Sequence, residues 1–101
     1  MRRPFVLIRS RGPAWDDSRP MEEQADWPAH ATFMDAMAAE RFILVGGPLE
    51  GTRDVVLVVN AEDSSEIKER FAADPWVQNG LLVEKECRPW RIRLGSLENK
   101  A

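Results

Sequence analysis

The chain holds one histidine, His30, and one cysteine, Cys87, so few of its side chains could move a proton or attack a substrate near neutral pH. An imidazole exchanges protons in that range, and a carboxylate accepting from one ring nitrogen leaves the other as the base. His30 is therefore the first candidate for chemistry. Carboxylates are plentiful, and Asp74 is marked only by preceding Pro75, where aspartate commonly starts a turn. A histidine at a helix start, held by a nearby carboxylate, can equally be structural. Residue types alone leave both readings open.

Other chemistries find less support. A single cysteine forms no intrachain disulfide and no thiolate cluster, and the alternation around Cys87 reads as a strand with a packed thiol. One histidine with scattered carboxylates falls below the usual three protein ligands of a catalytic zinc, so neither a metal nor an organic cofactor is expected. Gly46-Gly47-Pro48 lacks the spacing of a phosphate loop and the lysine that follows one. It reads as a tight turn ending a strand, with backbone close enough to a ligand to form a pocket wall. Trp76 and Trp90, each just after a proline, suit packing or an interface, and Trp76 could also wall a planar substrate. Trp27, three residues before His30, is a second wall candidate. Trp15 could act as a lid, and Arg9 and Arg11 could meet an anionic substrate if the first strand ends at the pocket.

Composition narrows the setting. The 14 basic and 17 acidic side chains leave a formal charge of −3, which gives no positive field for a nucleic-acid backbone. The apolar run at residues 5–8 is too short for a membrane span or signal segment, so a cytoplasmic protein without nucleic-acid or membrane partners is expected. With 101 residues the chain suits one domain (1–101), with its core over 5–95, a long loop at 10–25 and a fraying tail at 96–101. So small a domain buries proportionally little surface, and a homodimer would complete its core.

The elements that must position His30 follow from the pattern. Residues 5–9 read as a strand. Asp26 with Pro28 reads as a capped helix start, and the helix runs to about residue 40 with His30, Met34 and Met37 on one stripe. Residues 42–45 and 55–59 read as a strand pair. Asp63 and Glu66 form a capping box for a second helix, which buries Ile67 and Phe71 and ends at Asp74-Pro75. Residues 81–88 form a further strand, and Trp90, Ile92 and Leu94 alternate as an extra terminal one. This α+β order predicts a ferredoxin-like split βαβ plan: an antiparallel sheet with two helices on one face and its apolar second face against a partner.

The segments His30-Ala31-Thr32-Phe33-Met34, Val45-Gly46-Gly47-Pro48-Leu49, Phe71-Ala72-Ala73-Asp74-Pro75-Trp76 and Pro89-Trp90, in this order, resemble the YCII-related domain family. The resemblance implies a protomer of a dimeric α/β barrel, with an active-site histidine and aspartate at His30 and Asp74. Some relatives are dehydrochlorinases acting on chlorinated hydroxyquinols. This chain has no tyrosine, so Phe5 or a neighbour stands where some members carry a strand-one tyrosine, and its first loop is longer than in the shortest members.

Joined to the residue reading, the resemblance predicts a small-molecule enzyme using a His30–Asp74 pair for general acid–base chemistry. Lyase, elimination or isomerisation chemistry on a compact cyclic or aromatic substrate is expected, of a cofactor-independent, dehydrochlorinase-like kind. The alternatives are a dimeric accessory protein that binds a small ligand without transforming it, and a structural module with a satisfied buried pair.

Overall fold

In the computed structural model, which describes residues 1–97, four strands and three α-helices build an α+β fold: β1 (Arg3–Arg11), α1 (Trp27–Ala39), β2 (Ile43–Pro48), β3 (Asp54–Ala61), α2 (Ser64–Phe71), α3 (Pro75–Gln78) and β4 (Leu82–Pro89). The strands pair antiparallel in the order β2-β3-β1-β4. This sheet is open. β2 and β4 are its edges, each bonded to one neighbour, so the expected α/β barrel protomer with an additional strand is corrected to an open four-stranded sheet.

The extra strand is not formed: Trp90 N–H reaches the carbonyl of Pro4 at 2.9 Å, and residues 90–97 beyond it take no strand conformation. The Leu97 carbonyl accepts from the Arg41 side chain at 3.1 Å, while the rest of the expected fraying tail, residues 98–101, lies outside the described residues.

β1 sits between β3 and β4, and its alternation sets both faces. Phe5, Leu7 and Arg9 point toward the helices and are buried, each beside Val59, Leu57 and Val55 of β3. Val6 and Ile8 point the other way, in register with Val58 and Val56. That second face carries no helix; its centre is apolar, with Val45 and Val83 exposed beside it, while Asn60, Asp54 and Ser10 lie toward its ends and Glu86 and Arg88 along β4. A bulge beside Ile8 and Arg9 takes the β4 register from Glu86 to Glu84, leaving Lys85 unpaired in the ladder.

Gly46, Gly47 and Pro48 do not stop the second strand but belong to it. They pair with Leu57, Val56 and Val55. A Cβ on Gly46 would stand 2.2 Å from Leu57 Cδ2, so glycine lets the buried leucine pass close beneath β2. Pro48 is tolerated because an edge strand can spare a donor. The turn lies beyond them, where Leu49 N–H donates to Asp54 and Gly51 adopts φ 79°.

Asp26 is not the expected side-chain cap of α1. Its backbone is left-handed at φ 62°, its carbonyl accepts from His30 N–H at 2.9 Å, and its carboxylate accepts from Asn79 at 2.6 Å. Asp63 does cap α2, accepting from Glu66 N–H at 2.9 Å, while the Glu66 carboxylate reaches back to the Glu62 amide at 2.8 Å. Asp74 caps the short α3, accepting from Trp76 N–H at 3.0 Å. Two apolar clusters result. One fills the space between sheet and helices around Leu7, Val59, Ile67 and Phe71, and the other joins Trp15, Trp76, Leu81 and Leu82.

Candidate functional site

His30 is the fourth residue of α1, and Asp74 precedes the first residue of α3. The fold brings His30 Nδ1 to 2.8 Å from Asp74 Oδ1. The other carboxylate oxygen accepts from Arg9 Nη2 at 2.6 Å, so Asp74 joins groups from β1, α1 and α3. Asp74 has no exposed surface, Arg9 is 2% exposed and His30 6%. Taking such charges out of water costs several kcal/mol per ion unless every lone pair and proton finds a partner. Asp74 offsets much of that cost with three donors, two on one oxygen and one on the other.

Burial, the largest influence on Asp74, pushes its carboxyl upward. The hydrogen bonds from His30 and Arg9, the Arg9 charge and the Trp76 amide together outweigh it, and the group lies below the usual aspartate range. Burial likewise lowers Arg9, and Asp74 opposes that shift. With Asp74 ionised and accepting, the Nδ1 position carries the hydrogen of the shared bond. Nε2 is then the free ring position. It has no partner among the described residues, and none of their buried side-chain nitrogens or oxygens is left unpartnered, so Nε2 is reached by solvent.

The ring is held flat against Trp76, with centroids 3.8 Å apart and planes 9° from parallel. Trp76 is itself fixed by its indole N–H, which donates to Ala25 at 2.7 Å. Trp27 leans on both rings at 6.1 Å from His30 and 5.7 Å from Trp76. The Arg9 guanidinium lies over the Phe71 ring at 4.9 Å, with Met34 Sδ 3.9 Å from Nη1. Imidazole and carboxylate thus sit in a packed cage that preserves their geometry.

His30 opens on a hollow of about 350 Å³ between α1 and the β2 edge. Trp27, Gly46, Gly47, Pro48, Trp76 and Arg9 line it, together with Ala31, Met34 and Val55. The lining is mostly apolar and of a size that accepts a small organic molecule. Trp15 and Arg11 lie elsewhere. Trp15 is buried edge-on against Trp76 at 5.2 Å, and the Arg11 guanidinium covers the Trp15 ring at 4.7 Å.

The contact between Arg9 and Asp74 escaped the sequence reading, which offered Arg9 only as an anion contact. A signal existed: Arg9 follows Phe5 and Leu7 on the inward-facing alternation of a strand, where a charge must be paired. Among the described residues no group of three or more histidine, cysteine, aspartate or glutamate side chains is placed to hold a metal ion, and no helix is long and apolar enough to cross a membrane.

The sequence profile of the YCII-related domain matches residues 4–91, and the chain belongs to that family. No curated protein and no solved structure matches the chain.

Proposed function

We propose that this member of the YCII-related domain family is a small-molecule enzyme that moves a proton at His30 Nε2. Its substrate is a compact cyclic or aromatic molecule held in the hollow beside α1. Asp74 fixes the ring orientation and balances the charge of an imidazolium, and Arg9 keeps Asp74 ionised. Trp27 and Trp76 provide flat surfaces against a planar substrate. Elimination, isomerisation or lyase chemistry fits such a site, because each needs a proton taken from or returned to the substrate by one positioned group.

The observation that carries this reading is the ring's asymmetry: Nδ1 is committed to a buried carboxylate, while Nε2 is unpartnered in a residue that lines an apolar hollow. The test is turnover on a panel of halogenated and hydroxylated aromatics by the wild type and by His30→Gln. Loss of general acid–base catalysis lowers kcat about 10²–10⁴-fold while leaving ligand binding largely intact. Equal turnover by both proteins would sink the role given to His30.

A second reading, a binding protein without turnover, is favoured by the small number of polar groups in the lining. Saturable binding of a panel compound with no chemical change in it would select that reading. Homodimerisation is part of either. The helix-free sheet face, with Val6, Ile8, Val45, Val56 and Val83, offers an apolar surface of the kind that pairs with a second copy. Sedimentation at micromolar concentration is expected to give twice the chain mass of 11.5 kDa.

A further inference from the structure

A second hollow of about 420 Å³ lies between the α2–α3 segment and the β1–β4 side of the sheet. It shares only Arg9 and Leu82 with the hollow beside His30. Its apolar wall comes chiefly from Leu7, Phe71, Val77 and Leu82. Two exposed charges of opposite sign stand in the same lining, Lys68 on α2 and Glu84 on β4. Glu84 is the cross-strand neighbour of Arg9. Neither Lys68 nor Glu84 has an ion pair within 4 Å or a side-chain hydrogen bond among the described residues, although Glu84 acts on the Arg9 charge across the strand pair.

Arg9, the third charge in the lining, is already balanced by Asp74 at 2.6 Å, so an apolar wall beside one further cation and one anion selects by charge. A simple carboxylate would gain from Lys68 and be repelled by Glu84, and a simple amine would meet the reverse. A molecule carrying both groups on an apolar body satisfies all three surfaces. We propose that this hollow binds a free amino acid with an apolar side chain, its carboxylate at Lys68, its ammonium at Glu84 and its side chain against Phe71 and Leu82. Arg9 transmits occupancy to the first site, since its guanidinium lies over Phe71 and holds Asp74, which holds His30. This coupling rests on contact with the His30–Asp74 pair and not on that pair being catalytic.

The test is a heteronuclear NMR titration of the full chain with L-phenylalanine, phenylacetate and phenethylamine, each alone. L-Phenylalanine is expected to give saturable shifts at the amides of Lys68, Phe71, Ala72 and Glu84, and to move the ring signals of His30, the chain's single histidine. The two single-charge probes bind about three- to fivefold more weakly, the factor expected for loss of one solvent-exposed ion pair. Lys68→Met and Glu84→Gln, both at exposed positions, each weaken L-phenylalanine by about the same factor. Absence of saturable shifts, equal affinity for all three probes, shifts centred on Trp27 and Ala31, or unchanged affinity in both variants would overturn the site. His30 signals that stay fixed while the second hollow fills would overturn the coupling. No arm depends on turnover, so an inactive protein leaves the test intact.

Discussion

Replacing Asp74 with asparagine preserves shape and removes one charge from a place with no access to water. The carboxylate accepts at 2.8 Å from His30 Nδ1 and at 3.0 Å from the Trp76 amide on one oxygen, and at 2.6 Å from Arg9 on the other. An amide offers one oxygen and one NH2 group. If its oxygen faces Arg9, the NH2 confronts the Trp76 N–H; if the amide turns over, the NH2 confronts the guanidinium. Either way a donor meets a donor, and Arg9 keeps a buried charge without its anion. Breaking a buried pair from one side costs about 3–5 kcal/mol. A domain of this size holds only about 5–15 kcal/mol in total. With a urea dependence of about 1–3 kcal/mol per molar, the midpoint falls by about 1 M or more. Equilibrium unfolding followed by tryptophan fluorescence and far-UV circular dichroism measures this directly. The double variant Arg9→Met/Asp74→Asn removes both charges and is expected to recover part of the loss. A loss below about 1 kcal/mol for Asp74→Asn, or a double variant as unstable as the sum of its singles, would refute the electrostatic account.

Stability should also depend on acid. Because the folded Asp74 carboxyl lies below its ordinary value of 3.8, its stabilisation is fully present above that value and is lost as pH falls through the lower folded one. Urea midpoints measured across that interval decline for the wild type and decline less for Asp74→Asn. The two glycines of β2 should behave oppositely. Gly46→Ala forces a methyl against Leu57 and costs about 1–3 kcal/mol, whereas Gly47→Ala, with nothing within 4 Å of the added carbon, is neutral or stabilising by up to about 1 kcal/mol in the same unfolding assay. Burial, assisted by Glu84, raises the Cys87 thiol, so iodoacetamide should modify it more slowly at pH 7 than an unstructured cysteine peptide. Equal rates in folded and urea-unfolded protein would contradict that.

What the sequence disclosed was mostly local. The Asp63–Glu66 box announced α2 because both of its bonds close within one turn. The stripe of His30 and Met37 announced α1, and both residues are buried. The hidden features depended on distant partners. Gly46 to Pro48 looked like a breaker and became a strand because β3 supplies a ladder and Leu57 needs the space. The alternation of Trp90, Ile92 and Leu94 looked like a strand, yet after the bond of Trp90 to Pro4 the chain leaves the ladder. Asp26 had the right side chain for a cap, yet a left-handed backbone turned its carboxylate toward Asn79 instead. For the site, His30 was legible from its chemistry and Asp74 only through family resemblance, since nothing local distinguishes it from other aspartates before a proline. Arg9 marked itself by alternation, but its partner lies 65 positions away.

Asp74 fastens a central strand, a long helix and a helix of a single turn with one side chain, and this has a consequence for how the protein matures. No fragment of the chain, and no intermediate lacking any one of those pieces, can present an oriented imidazole. The oriented ring therefore comes into being only once those three pieces are together, and it is lost on the first opening of the segment around Pro75. On the role proposed for His30, a copy with that segment open would be without its acid–base group.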